Sequence, residues 1–150
     1  MTSYCFAARY SRHSEMRKYR DQLVAAVPGA NVTSRWIDMH GGQPESVTPE
    51  IIAARPEECW KFAQAALEDL SNADAIVSFT GDGGGGKGGR NIEHGVAIAY
   101  VDNHIWLALG GPDRKAFRLI VVGPRENIFH CHPATEVYAT WVEFLNQELR

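Results

Sequence analysis

Ala75-Ile76-Val77-Ser78-Phe79 is a short, nearly unbroken apolar run, and the stretch Gly81 to Arg90 just beyond it holds seven of the chain's 14 glycines. A strand that is apolar on both sides must be covered on both faces, and a parallel sheet with helices above and below does this. The glycines mark a loop after the strand. This one segment therefore points to an α/β chain in which strands and helices alternate.

The remaining pattern agrees. Ser3 to Ala8 reads as a buried first strand, and Ser14 is placed to cap a helix whose apolar positions Met16, Tyr19, Leu23 and Val27 run up to Pro28-Gly29. Val32 to Ile37 is β-branched and aromatic enough for a second strand, with the Gly41-Gly42-Gln43-Pro44 loop after it. Thr48-Pro49 starts a helical region in which Trp60, Ala63, Leu67 and Leu70 make one stripe, ending near Asn72. Beyond the glycines, Asn91 is placed to cap a helix through Tyr100, and Ile105 to Leu109 and Leu119 to Val122 read as strands. Val137, Trp141, Phe144 and Leu145 read as the stripe of a last helix, while Gly110 to Phe117 carries no clear pattern. The expected fold is α/β: a doubly wound, flavodoxin- or Rossmann-like parallel sheet of about five strands with helices on both faces. Its 150 residues make a single domain, 1–150.

Composition narrows the partners. Lys and Arg number 15 against 18 Asp and Glu, a formal charge of −3, too balanced for a chain that lives on nucleic-acid phosphates. Apolar runs such as Val96 to Val101 fall well short of the roughly 20 residues of a membrane helix. The opening MTSYCFAARYSR has no basic region followed by a long apolar stretch, so the expected compartment is the cytoplasm. Cys5, Cys59 and Cys131, odd in number and widely spaced, suit reduced thiols there. His130-Cys131-His132 contains metal-ligating residue types, but adjacent side chains converge poorly on one tetrahedral ion; no metal and no cofactor is expected.

Ligands of doubly wound folds sit outside the carboxyl ends of the strands, where strand order reverses. The glycine loop lies there and satisfies two phosphate-loop patterns. Gly81, Gly86 and Lys87 fit GxxxxGK without the Ser or Thr that would follow, and Gly84, Gly86 and Gly89 fit GxGxxG in a run glycine-rich enough to fit almost any glycine pattern. Glu93 stands two residues past the expected cap Asn91, in what would be the first helical turn, where unpaired N–H groups and the helix dipole favour a charged carboxylate. Such a group suits a nucleophile. Asp69, in the last turn of the preceding helix, opposes that helix's dipole and so asks for a functional explanation, whereas Asp74 reads as a turn or capping residue. Arg9 and Arg12 follow the first strand, facing either a phosphate or solvent.

Together these residues resemble the nucleoside 2-deoxyribosyltransferase-like family, which includes the 2-deoxynucleoside 5-monophosphate N-glycosidases. The resemblance runs along most of the chain: YCFAAR at the first strand, LEDLSNADAIVSFT through the second helix and third strand, GGRNIEHGVAIA, and VVGPRENIFH. Its most specific piece is Glu93-His94-Gly95-Val96-Ala97, similar to the family's E-x-G-x-A stretch. The resemblance implies that Glu93 is the nucleophile and that the small residues let the helix pack close to the sheet. It places Asp69 on the aspartate that assists departure of the base, Tyr4 on an aromatic near the sugar, and Asn127 on the asparagine delivered into a neighbouring subunit's site. Lys87, six positions before Glu93, departs from some transferases, which carry a second aspartate there, so that part of the resemblance fails unless Asp82 takes its place.

The expected function is cleavage or transfer of the N-glycosidic bond of a 2-deoxyribonucleoside or its 5-monophosphate through a covalent glycosyl-glutamate. The alternative is a non-catalytic nucleotide-binding module on the same fold, with the glycine loop as an anion grip. Glu93 and Asp69 are the expected catalytic pair. Tyr4, Arg9, Arg12, Gly81, Asp82, Lys87, Gly89, Arg90 and Asn127 are expected to bind a small nucleoside or nucleotide. Because Arg9, Arg12, Lys87 and Arg90 all fall in loops after strands one and three, the reading favours the monophosphate. A homo-oligomer with shared active sites is expected from Asn127.

Overall fold

Side chains alternate along strand β1 (Thr2–Ala7), so that Tyr4 and Phe6 enter one apolar cluster while Cys5 and Ala7 enter another. Burial on both faces makes the sheet the middle of three layers. The computed structural model describes residues 1–38, 49–81, 89–102, 107, 110–111 and 116–150. After β1 come helix α1 (His13–Ala26), β2 (Ala30–Val32), α2 (Pro49–Ala54), α3 (Pro56–Ser71) and β3 (Ala75–Phe79). Helix α4 (Gly89–Val101), β4 (Arg118–Val122), β5 (Thr135–Tyr138) and α5 (Trp141–Glu148) complete the described elements.

The five strands lie in the order β2-β1-β3-β4-β5, and every neighbouring pair is parallel. Met16 and Leu23 of α1 and Trp141 and Phe144 of α5 pack on Tyr4, Phe6, Val77 and Phe79. Leu70 of α3 and Ala97 and Tyr100 of α4 pack on Cys5, Ile76 and Leu119 from the other side. The doubly wound α/β sheet is therefore the fold. Strand order turns between β1 and β3, so the loops opening at Ala8 and Thr80 flank the reversal.

Four elements differ from the sequence reading. The second strand covers Ala30–Val32, not Val32 to Ile37, and Arg35–Asp38 form a 3-10 turn. Ser34 is the cause: its hydroxyl accepts from Phe6 N–H at 2.6 Å and lies 3.1 Å from Phe6 O, satisfying the β1 edge that a longer β2 would have used. The fifth strand is Thr135–Tyr138, which takes Val137 out of the last helix. Of the expected strand Ile105 to Leu109, only Leu107 lies within the described residues, and it is helical. Finally, α4 begins at Gly89, so Asn91 lies inside it and Glu93 is its fifth residue. A Cβ on Gly95 would meet nothing within 4 Å, so close helix–sheet packing is not what this glycine serves. Asp74 keeps its structural part, accepting from Ser3 N–H at 2.8 Å.

Candidate active site

The apolar stripe expected on α3 is only half core. Leu70 is fully buried, but Trp60 is 57% exposed, and it lines, with Ala63 and Leu67, a cleft of about 410 Å³ between α3 and the start of α4. Tyr10 and Trp36, from the segments after β1 and β2, extend the aromatic wall. Trp36 is held by its indole N–H, which donates to Phe6 O at 3.0 Å. Asp69, Arg90 and Glu93 are the charged side chains of the described lining.

Glu93 and Asp69 are thus brought together, as expected, but in a different electrostatic setting. Standing beyond the first turn of α4, Glu93 gains little from the unpaired N–H groups at the helix start. Burial is the main cause, and the charge of Asp69 the second, that push its carboxyl from 4.5 up to about 8. The expectation of a carboxylate held charged by the helix dipole is corrected. Asp69 is 5% exposed. Burial raises its carboxyl, while Arg35 pulls the other way, donating its backbone N–H at 2.8 Å and its Nε at 2.6 Å. Arg35 also donates to Ala65 O and Glu68, tying the turn after β2 to α3.

Arg90 lies one turn before Glu93, on the cleft, yet its charge is already engaged. Its guanidinium donates to Phe79 O at 2.5 Å and to Glu126 Oε2 at 2.6 Å. The other Glu126 oxygen accepts from Gly81 N–H at 2.8 Å, where the chain turns at φ +91°. Arg12 is drawn to the far face of the sheet: it lies over the Phe79 ring at 5.8 Å, pairs with Glu15 and donates to Thr80 O. Arg9 stands two residues past β1, and its neighbour Ala8 is the residue of that segment in the described cleft lining beside Tyr10. Asp82 and Lys87 lie outside the described residues, and Gly89 opens α4. Of the four basic residues, Arg12 and Arg90 reach the carbonyls of adjacent residues at the end of β3, Thr80 O and Phe79 O.

Tyr4 is likewise corrected. It is 1% exposed, packs edge-on against Phe144 and donates its hydroxyl to Glu148, all on the face of the sheet opposite the cleft. Asn127 caps the 3-10 turn Ile128–Cys131: its Oδ1 accepts from Phe129 and His130 N–H, and its Nδ2 donates to Asn91 at 2.9 Å. Its side chain is thereby committed within its own chain. Arg35, Trp36, Tyr10 and Trp60 were not singled out as site residues from the sequence. Apolar periodicity cannot separate a stripe that faces a cleft from one that faces the core.

No family profile and no curated protein matches the chain in sequence. Among solved structures, that of the CMP N-glycosidase BcmB from Clostridium botulinum is similar to this chain at 16% identity, covering 97% of this chain and 96% of that one, with a TM-score of 0.45.

Proposed function

We propose that this chain cleaves or transfers the N-glycosidic bond of a small nucleoside or nucleotide, of the 2-deoxyribose type, with Glu93 as nucleophile and Asp69 as its acid partner. The observation that carries the reading is that two acidic side chains, Glu93 and Asp69, line one aromatic, largely apolar cleft. Burial raises both carboxyls, and the charge of Asp69 raises that of Glu93 further, so the site favours one acid beside one carboxylate. One carboxylate and one acid are what the reaction consumes. A carboxylate oxygen of Glu93 bonds to C1′ as the C1′–N bond breaks, the electron pair leaves with the base, and the base takes a proton from Asp69. Water or a second base then opens the glycosyl ester. The proton is worth roughly 10²–10⁴-fold, and Tyr10, Trp36 and Trp60 offer the base flat apolar surfaces.

Incubation with each deoxynucleoside and its monophosphate, with free base as the readout, tests the proposal. Base is expected from the wild type, none from Glu93→Ala, and a rate that falls above about pH 8, where the pair loses its last proton. Binding without base release by the wild type would make the chain a nucleotide-binding module. Base release by Glu93→Ala above a few per cent would remove Glu93 as the nucleophile.

A further inference from the structure

Glu126 has no part in the proposed bond cleavage, yet its carboxylate takes up donors of the kind that hold an anion beside the glycine turn after β3. It reaches across from the loop after β4 to the loop after β3, and its two oxygens take separate donors, Gly81 N–H at 2.8 Å and the Arg90 guanidinium at 2.6 Å. The Arg90 and Glu126 side chains are 9% and 15% exposed, so the pair is shielded from solvent and from much of its ionic screening. A backbone N–H at a glycine turn combined with a guanidinium is the donor set that holds a phosphate. Here the chain's own carboxylate holds it.

We infer that Glu126 is a specificity-determining residue: it fills an anion position against Arg90, a residue of the cleft lining, and makes the cleft select an uncharged nucleoside over its 5′-monophosphate. This rests on the N-glycosidic reading above. Arg90 lines the cleft together with Glu93, so a substrate lying against Glu93 also lies near the Arg90–Glu126 pair. A phosphate arriving there meets a like charge and must either displace it or stay unpaired; a hydroxyl meets neither cost. Selection by a repelling group in this way leaves the fold's anion-holding geometry intact beneath it. Removing the charge should therefore uncover it.

The test is Glu126→Gln, which keeps the shape and the acceptor for Gly81 while freeing Arg90 from its counter-charge. Glu126→Ala serves as a second variant should the glutamine form the same bridge. Two readouts are compared for a deoxynucleoside and its 5′-monophosphate: kcat/KM for base release, and equilibrium affinity by calorimetry. Wild type is expected to favour the nucleoside by about 10–100-fold in both, and the variants to move that ratio toward the monophosphate by at least about tenfold. A change confined to overall activity or stability, with the ratio unmoved, would assign Glu126 a structural role and overturn the inference. So would a wild type that prefers the monophosphate, or one that binds neither compound. A shifted affinity ratio without base release from any substrate would sink the N-glycosidic reading while leaving the selection by Glu126 standing.

Discussion

At Glu93, the raised carboxyl affects folding independently of any substrate. Its value of about 8 in the folded chain lies above the ordinary 4.5, so between these pH values the folded state binds more protons than the unfolded one. Stability must then fall as pH rises through that window, by up to about 1.4 kcal/mol per pH unit, and level off above 8. Glu93→Gln has no proton to lose. The wild type should lose thermal stability relative to this variant from pH 5 to pH 8, read as the difference between their melting midpoints at each pH. A difference that stays constant would mean that the Glu93 carboxyl titrates normally. Nothing in the residues around Glu93 announces this behaviour: Asn91 looks like a cap, and a cap would have put the acid in the first turn. The helix starts two residues earlier, and what decides the shift is the apolar wall contributed by α3 and the charge of Asp69.

The same displacement by one or two residues governs whole elements. The two short strands β2 and β5 lie elsewhere than the apolar pattern puts them, because side chains outside that pattern set the element ends. Ser34 ends β2 by taking over the backbone groups of Phe6, and Ser34→Ala should cost about 1–3 kcal/mol by leaving the buried Phe6 N–H without its acceptor. Urea unfolding of the two proteins measures this; a cost below a few tenths would show that another group ends the strand. At the carboxyl-terminal end, Thr140 caps α5, its Oγ1 accepting from Glu143 N–H at 3.2 Å, while the Glu143 carboxylate reaches back to Ala139 N–H at 2.9 Å. That T-x-x-E spacing was legible in the sequence. It marks where α5 starts and so excludes Val137 from the helix, but the i, i+4, i+7 apolar spacing concealed it.

For the molecule as a whole, the question is how far one chain completes its own site. Asn127 is the residue expected to reach a neighbouring subunit, and its Oδ1 and Nδ2 are already engaged with Phe129, His130 and Asn91. Leaving those partners would uncap the turn after β4, at about 1 kcal/mol. Asn127→Ala should accordingly lower the melting midpoint while reducing base release only as stability falls. Mixing it with Glu93→Ala subunits should give no more activity than the Asn127→Ala protein alone. Recovery above that level would place Asn127 in the partner's site. Gly123 supports the same loop: at φ +118°, a Cβ there would come 2.4 Å from Thr80 Oγ1, so the loops after β3 and β4 approach as closely as backbone permits. This proximity is what lets Glu126 reach Gly81 and Arg90.

By itself, the sequence determined the layered α/β sheet, because the doubly apolar run Ala75–Phe79 can be satisfied only between two helical layers, and it determined that Glu93 and Asp69 belong near one sheet edge. Those are consequences of local pattern and of chain direction. Which face each side chain takes, and which charges meet, depends on contacts between segments far apart in the chain. Tyr4 went to the opposite face because strand alternation sets it against Cys5, and Arg90 was neutralised by Glu126, 36 residues away. The raised carboxyl of Glu93 has the same origin: desolvation is a property of the space around a group, and only the packed tertiary structure encloses that space.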